Sequence, residues 1–289
     1  MYRSRGSQAG QEISLEKVSD LIGQIKNSDG NPPFPFVSDL SVTSLGSIPD
    51  RNNKSSPGAR WMRSSRIDMA RVLVIAPHMD DEVLGCGGTI AWHIDKGDTV
   101  DVCVVCNRIY DHSHDPQAVE REKASAHQAR EILGYNGLQF LDLPDERLSH
   151  HLQELLGAFE KLLVKVKPEI VYTSYGGDLH QDHRTVAHAS NIVLRAFAVP
   201  SIRRVLAYEI PSGTEQVFPG SADPFFPTFF VDIERQQDRK CAAMSAYQRE
   251  SRAFPHPRSQ EMLTARARVR GAQCGRAVAE AFVLLKEIQ

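Results

Sequence analysis

The feature that most constrains the fold of this chain is a series of short, continuously apolar segments that begins near residue 70. The segments expected as strands are 71–76, 99–105, 138–141, 169–173 and 203–209. Helical patterns fall between them, at about 83–95, 117–133, 151–166 and 183–197. A strand that is apolar along its whole length is buried on both faces, which is the habit of a parallel sheet covered by helices. Right-handed crossovers then place helices on both sides of that sheet. The expectation is a three-layer α/β/α, Rossmann-like domain with a mainly parallel sheet. Beyond residue 210 come a Pro- and Phe-rich stretch from Phe218 to Pro227, a short strand over 228–233, and helices over 234–250 and 259–287.

Composition divides the chain in two. Residues 1–68 are rich in Ser, Gly, Pro and Asn, as in Asn31-Pro-Pro-Phe-Pro35, and read as an irregular or disordered leader. Within it, Ile13, Leu15, Val18, Leu21, Ile22 and Ile25 keep helical spacing, which fits an amphipathic helix. A start of translation at Met69 is the other reading of this segment. Residues 69–289 form the expected domain. The net charge of −2 provides no field for nucleic acid or membrane surfaces. No stretch approaches the roughly 18 apolar residues of a membrane span, and the N-terminus lacks the apolar core of a secretory signal. A soluble, cytoplasmic protein is expected, and a homo-oligomer is compatible with this composition. Five cysteines, an odd number in a long chain, do not make a disulfide framework. Cys103 and Cys106 have CxxC spacing but lie in an expected strand, where residues three apart face opposite sides. Buried packing is the expected role.

Two polar segments then stand out. Pro77-His-Met-Asp-Asp-Glu82 follows the first strand, and His180-Gln-Asp-His183 follows the fourth. In an open parallel sheet, ligands bind beyond the carboxyl ends of the strands. Both segments therefore share one rim, and together they supply two histidines and a carboxylate, a set that suits a catalytic zinc. Asp80 and Asp81 are neighbours whose side chains diverge, so one can bind an ion while the other faces a bound water. The residues alone leave open which does which, and also leave open a helix-capping role for Asp80 or Glu82.

Other candidates are weaker. Gly85, Gly87 and Gly88 open a helix, but Ile90 stands where a dinucleotide fingerprint needs a third glycine. Close packing of the helix on the sheet is the preferred reading. Asp111-His-Ser-His-Asp115 follows the second strand and reads as a solvated loop, a substrate contact or a second metal site. His93, His127 and His188 lie in helical patterns and read as surface or packing residues. Asp145, after the third strand, suits either a hydrogen bond to a sugar or a helix cap.

Taken together, these motifs resemble the PIG-L/LmbE family of metal-dependent N-acetylglucosaminyl deacetylases. The matching segments are Pro77–Glu82, Gly85-Cys-Gly-Gly88 and His180–His183, with further similarity from Arg121 to Gly134, at Leu143-Pro-Asp145 and from Lys240 to Gln248. Met79 and Gln181 stand where the family usually has proline. The resemblance implies an LmbE-like fold over about residues 70–285. It implies His78, Asp81 and His183 as metal ligands, Asp80 as general base, His180 as the group facing the oxyanion, and Asp182 as the residue that orients and charges His180. Arg121 and Asp145 are the candidate substrate contacts. Zinc is the implied cofactor, with ferrous or another divalent ion as the alternative. The implied reaction removes an N-acetyl group from a small amino-sugar substrate. A related amidase, acting on another N-acyl group or a thiol conjugate, is the runner-up.

Overall fold

Each expected apolar run becomes a strand of one sheet. A computed structural model describes residues 69–107, 116–195 and 197–289. The leader, and the His112/His114 loop, lie outside the described residues. In order, the elements are β1 (Arg71–Ala76), α1 (Asp81–Asp95), β2 (Thr99–Asn107), α2 (Pro116–Leu133) and β3 (Gly137–Pro144). Then come α3 (Leu152–Val166), β4 (Ile170–Ser174), α4 (Gln181–Val193), β5 (Arg204–Tyr208), β6 (Phe229–Asp232), α5 (Gln237–Ala246), α6 (Gln260–Cys274) and β7 (Ala279–Glu287).

The sheet runs β3-β2-β1-β4-β5-β7-β6. β1 to β5 are parallel, while β7 is antiparallel to both β5 and β6. Strand order reverses between β1 and β4, which pair from Val72↔Ile170 to Val74↔Tyr172. Two cores lie on opposite faces, as period-2 alternation requires. Val72, Val74, Val100, Val102 and Leu206 pack under α1, α2, α5 and α6, and Leu73, Ile75, Cys103, Val171 and Val205 under α3 and α4. This is the expected three-layer α/β/α arrangement.

Two expectations need correction. Residues 279–287 are a strand, not the end of a long helix. Gly275, with φ 73°, caps α6 in a left-handed conformation and stops it. The segment beyond fills the slot between β5 and β6. Cys103 and Cys106 also do not face opposite sides. The register of β2 against β3 shifts between Val104 and Cys106, and both cysteines join the same core as free, buried thiols.

The glycines of α1 serve close packing. A Cβ at Gly85 would lie 2.1 Å from the Tyr208 ring, and one at Gly88 2.6 Å from Ile233. The bare helix surface also admits a buried ion pair. Lys240 Nζ donates to Glu280 at 2.5 Å and to Leu84 O at 2.9 Å, while Glu280 accepts from the backbone N–H of Gly88 and Thr89.

Candidate metal centre

The crevice at the β1/β4 reversal is where an open sheet accepts ligands, and both polar segments meet there. His78 leaves β1, Asp81 begins α1, and His183 sits in the first turn of α4, whose cap is His180. All three donors are buried. His78 Nδ1 is 3.2 Å from Asp81 Oδ2 and 3.2 Å from His183 Nε2, and His183 Nε2 is 3.3 Å from Asp81 Oδ2. Three ligands with bonds of about 2.0–2.1 Å to a tetrahedral ion lie about 3.3 Å apart. Asp81 Oδ1 is buried and has no hydrogen-bond partner among the described residues. A buried carboxylate oxygen of this kind is compatible with a bound cation or water.

The far side of each histidine is held by carboxylates. His78 Nε2 is 3.1 Å from Asp182 Oδ2 and 3.2 Å from Asp145 Oδ1. His183 Nδ1 is 3.0 Å from Asp178 Oδ1. Burial opposes charge on His78, but bonds to Asp145, Asp182 and Asp81 hold it well above the ordinary histidine value. His183 is likewise raised, against its burial, by Asp81 and Asp178. Asp81, despite burial, is held well below the usual carboxylate range by His183 and His78. Four carboxylates thus surround two imidazoles, and the inner nitrogens face one point. The donor set fits a divalent cation whose histidine ligands are each oriented by an acid. His78 and His180 also share a second set of potential donors with Asp145 and Asp182, and His180 groups with His78 and His183.

The other expected residues lie around this triangle. Asp80 is fully buried and caps α1 with a left-handed backbone, φ 107°, yet its side chain makes no capping bond. Its Oδ2 accepts from Arg258 Nη1 at 2.8 Å. Glu82 accepts from Tyr247 Oη at 2.5 Å and from the Asp80 N–H at 3.2 Å, and burial pushes its carboxyl up to about 7. His180 stacks on His183 with ring centroids 4.7 Å apart.

The expected pairing of Asp182 with His180 needs correction. Asp182 Oδ2 faces His78 and accepts from the Glu146 N–H at 2.8 Å, whereas His180 Nδ1 is 4.0 Å away. His180 Nδ1 instead accepts the Asp182 backbone N–H at 3.2 Å. Nδ1 is therefore unprotonated and any ring proton sits on Nε2. Burial, with His78 and His183 nearby, pushes His180 down to about 4, so it is neutral and not the expected cation. Asp145 reaches the cluster through His78, while Arg121 is exposed on α2.

Two residues were missed by sequence reasoning. Asp178 is buried and ties His183, the His180 N–H and Thr214 Oγ1 together at 3.0, 2.8 and 2.6 Å. Its signal was its place, after β4 on the ligand rim. Arg258 had no motif to mark it, because two of its partners, Asp80 and Ser212, lie far away in the sequence. His93 is a packing residue, bonded to Asp98 at 2.6 Å and Tyr172 at 3.0 Å. His127 and His188 are exposed.

The chain is similar to several known proteins. A family model described as GlcNAc-PI de-N-acetylase (PIG-L) matches residues 73–194. The chain is 31% identical over 175 residues to the uncharacterized deacetylase YaiS of Escherichia coli K12, covering 57% of this chain and 90% of that one. It is 29% identical over 185 residues to a probable N-acetyl-alpha-D-glucosaminyl L-malate deacetylase 2 of Bacillus subtilis 168, covering 61% and 81%. Among solved structures, the conserved protein TT1542 of Thermus thermophilus superposes with a TM-score of 0.60 at 26% identity, over 76% of this chain and 97% of that one.

Proposed function

The chain belongs to the PIG-L family of deacetylases, hydrolases of amide bonds, and from that premise we propose that it removes the N-acetyl group of an N-acetylglucosamine-type sugar or conjugate with the help of zinc. The observation that carries the reading is the donor triangle with Asp80 and His180 beside it. His78 Nδ1, Asp81 Oδ2 and His183 Nε2 would hold the ion, with ferrous iron as the alternative. A divalent ion bound there acidifies a water and polarises an acyl oxygen. The substrate class follows the B. subtilis relative, a probable deacetylase of an N-acetylglucosaminyl malate.

The chain's own residues supply the rest. Asp182 and Asp145 fix the ring of His78, and Asp178 fixes that of His183, so both present their inner nitrogens. Asp80 takes a proton from the attacking water and returns one to the departing amine. Help of this kind is typically worth about 10²–10⁴-fold. His180, neutral with its proton on Nε2, donates to the oxygen that gains charge. Loss of such a donor commonly costs about 3–4 kcal/mol.

Metal analysis and acetate release from N-acetylglucosamine test the reading. Asp80→Asn should keep the metal and lose turnover by about 10²–10⁴-fold, while His183→Ala should lose the metal. Near-normal turnover by Asp80→Asn would refute the assignment of the base. No acetate from N-acetylglucosamine, together with acid release from an analogue carrying a longer N-acyl group, would refute the substrate class.

A further inference from the structure

Arg258 stands between α5 and α6, one residue before the Ser259 cap of α6. Its side chain is only 11% exposed, and its guanidinium joins the distant Asp80 and Ser212 to the nearby Glu250. Nη1 donates to Asp80 Oδ2 at 2.8 Å and to Glu250, and Nε donates to Ser212 Oγ at 2.8 Å. Asp80 and Ser212 share a peculiarity: both are non-glycine residues with left-handed backbones, φ 107° and 75°. Such backbones persist only where the surroundings over-determine them, and they collect at functional sites. A guanidinium suits the task because its donors point in fixed, divergent directions, which a lysine ammonium cannot reproduce.

We propose that Arg258 is a positioning residue that holds Asp80 in its left-handed pose at the head of α1, by tying it to the equally unusual Ser212. This rests on Asp80 being the proton acceptor. The consequence is specific: removal of the guanidinium should disturb the proton-transfer step while leaving substrate affinity and the ion in place. The ligand triangle has its own supports in Asp145, Asp178 and Asp182, none of which bonds Arg258 among the contacts described above.

The test uses the full chain loaded with zinc, N-acetylglucosamine as probe, and a crystal structure of Arg258→Gln. Expected are unchanged metal content and KM, a kcat lower by about 10²-fold, as a displacement of about 1 Å commonly costs, and Asp80 moved out of its left-handed pose. Arg258→Lys should recover only part of the rate, since it cannot keep both bonds. Wild-type kcat in Arg258→Gln, or an unmoved Asp80 in its crystal structure, would overturn the proposal. Loss of metal along with activity would also overturn it, by making Arg258 a general structural support. If Arg258→Gln does not fold, Ser212→Ala decides, because it removes one anchor and no charge: kcat should fall at constant KM and metal content, and an unchanged kcat would sink the idea. Should the wild-type chain release no acetate at all, the functional reading fails separately, and the position of Asp80 in the variant crystal still answers the question about Arg258.

Discussion

At the scale of single residues, the polar groups buried in this molecule are sorted by what holds them. His93 illustrates a group tuned away from charge. Burial lowers its pKa below the ordinary 6.5, against the pull of Asp98. The unfolded chain therefore binds a proton that the folded chain resists. Stability from this site is complete above about pH 6.5 and falls as the pH drops from there towards the folded value. Urea midpoints measured from about pH 7.5 to 5.5 should decline more steeply for the wild type than for His93→Gln, and equal slopes would contradict this. The segments Pro77–Glu82 and His180–His183 stood out because each follows an apolar run, whereas the choice of His78, Asp81 and His183 within them rested on the family resemblance. The sequence did not announce Asp178, whose three partners come from α4 and the turn after β5. Nor could spacing reveal that the Asp182 carboxylate serves His78 instead of its neighbour His180. That choice depends on the Glu146 and Leu148 N–H groups, which reach Asp182 only in the folded chain.

At the scale of elements, α1 decides most, since Asp80, Asp81 and Glu82 form its head and its glycine face lies on the sheet. Alanine favours a helix over glycine by about 1 kcal/mol, yet Gly85→Ala would press a methyl into the ring of Tyr208, itself anchored by its hydroxyl to Ile75 O at 2.7 Å. Overpacking should prevail and destabilise the protein by about 1–3 kcal/mol. Gly157 of α3 is the control. An added Cβ there meets nothing within 4 Å, so Gly157→Ala should stabilise by about 0.4–1 kcal/mol. Chemical denaturation of both variants checks the pair, and a stabilising Gly85→Ala would refute the packing argument. Six of the seven strands among the described residues were legible from apolar runs. β7 was not, because Ala279-Glu-Ala-Phe-Val continues the α6 pattern on paper, and only the left-handed Gly275 and the open slot beside β5 make it extended.

At the scale of the whole molecule, the centre lies where the two halves of the parallel sheet diverge, so an ion there would bridge β1, α1 and α4. Its removal leaves Asp81, Asp145, Asp178 and Asp182 crowded around two histidines. A chelator should therefore lower the thermal midpoint, and zinc should restore it. At an ion concentration a hundredfold above Kd the linkage is about 2.7 kcal/mol. Identical melting curves with and without chelator would argue against a resident ion. Among the described residues, no helix is long and apolar enough to cross a membrane.

The insertion of β7 between β5 and β6 bears on how the chain is made. Ribosomes deliver residues in order, so β6 emerges before the strand that must sit between it and β5. Glu280, which receives the amides of α1, follows His183 by roughly a hundred residues, or about 5–20 s of synthesis. A nascent chain therefore carries His78, Asp81 and His183 well before α1 gains the Glu280 clasp at Gly88 and Thr89.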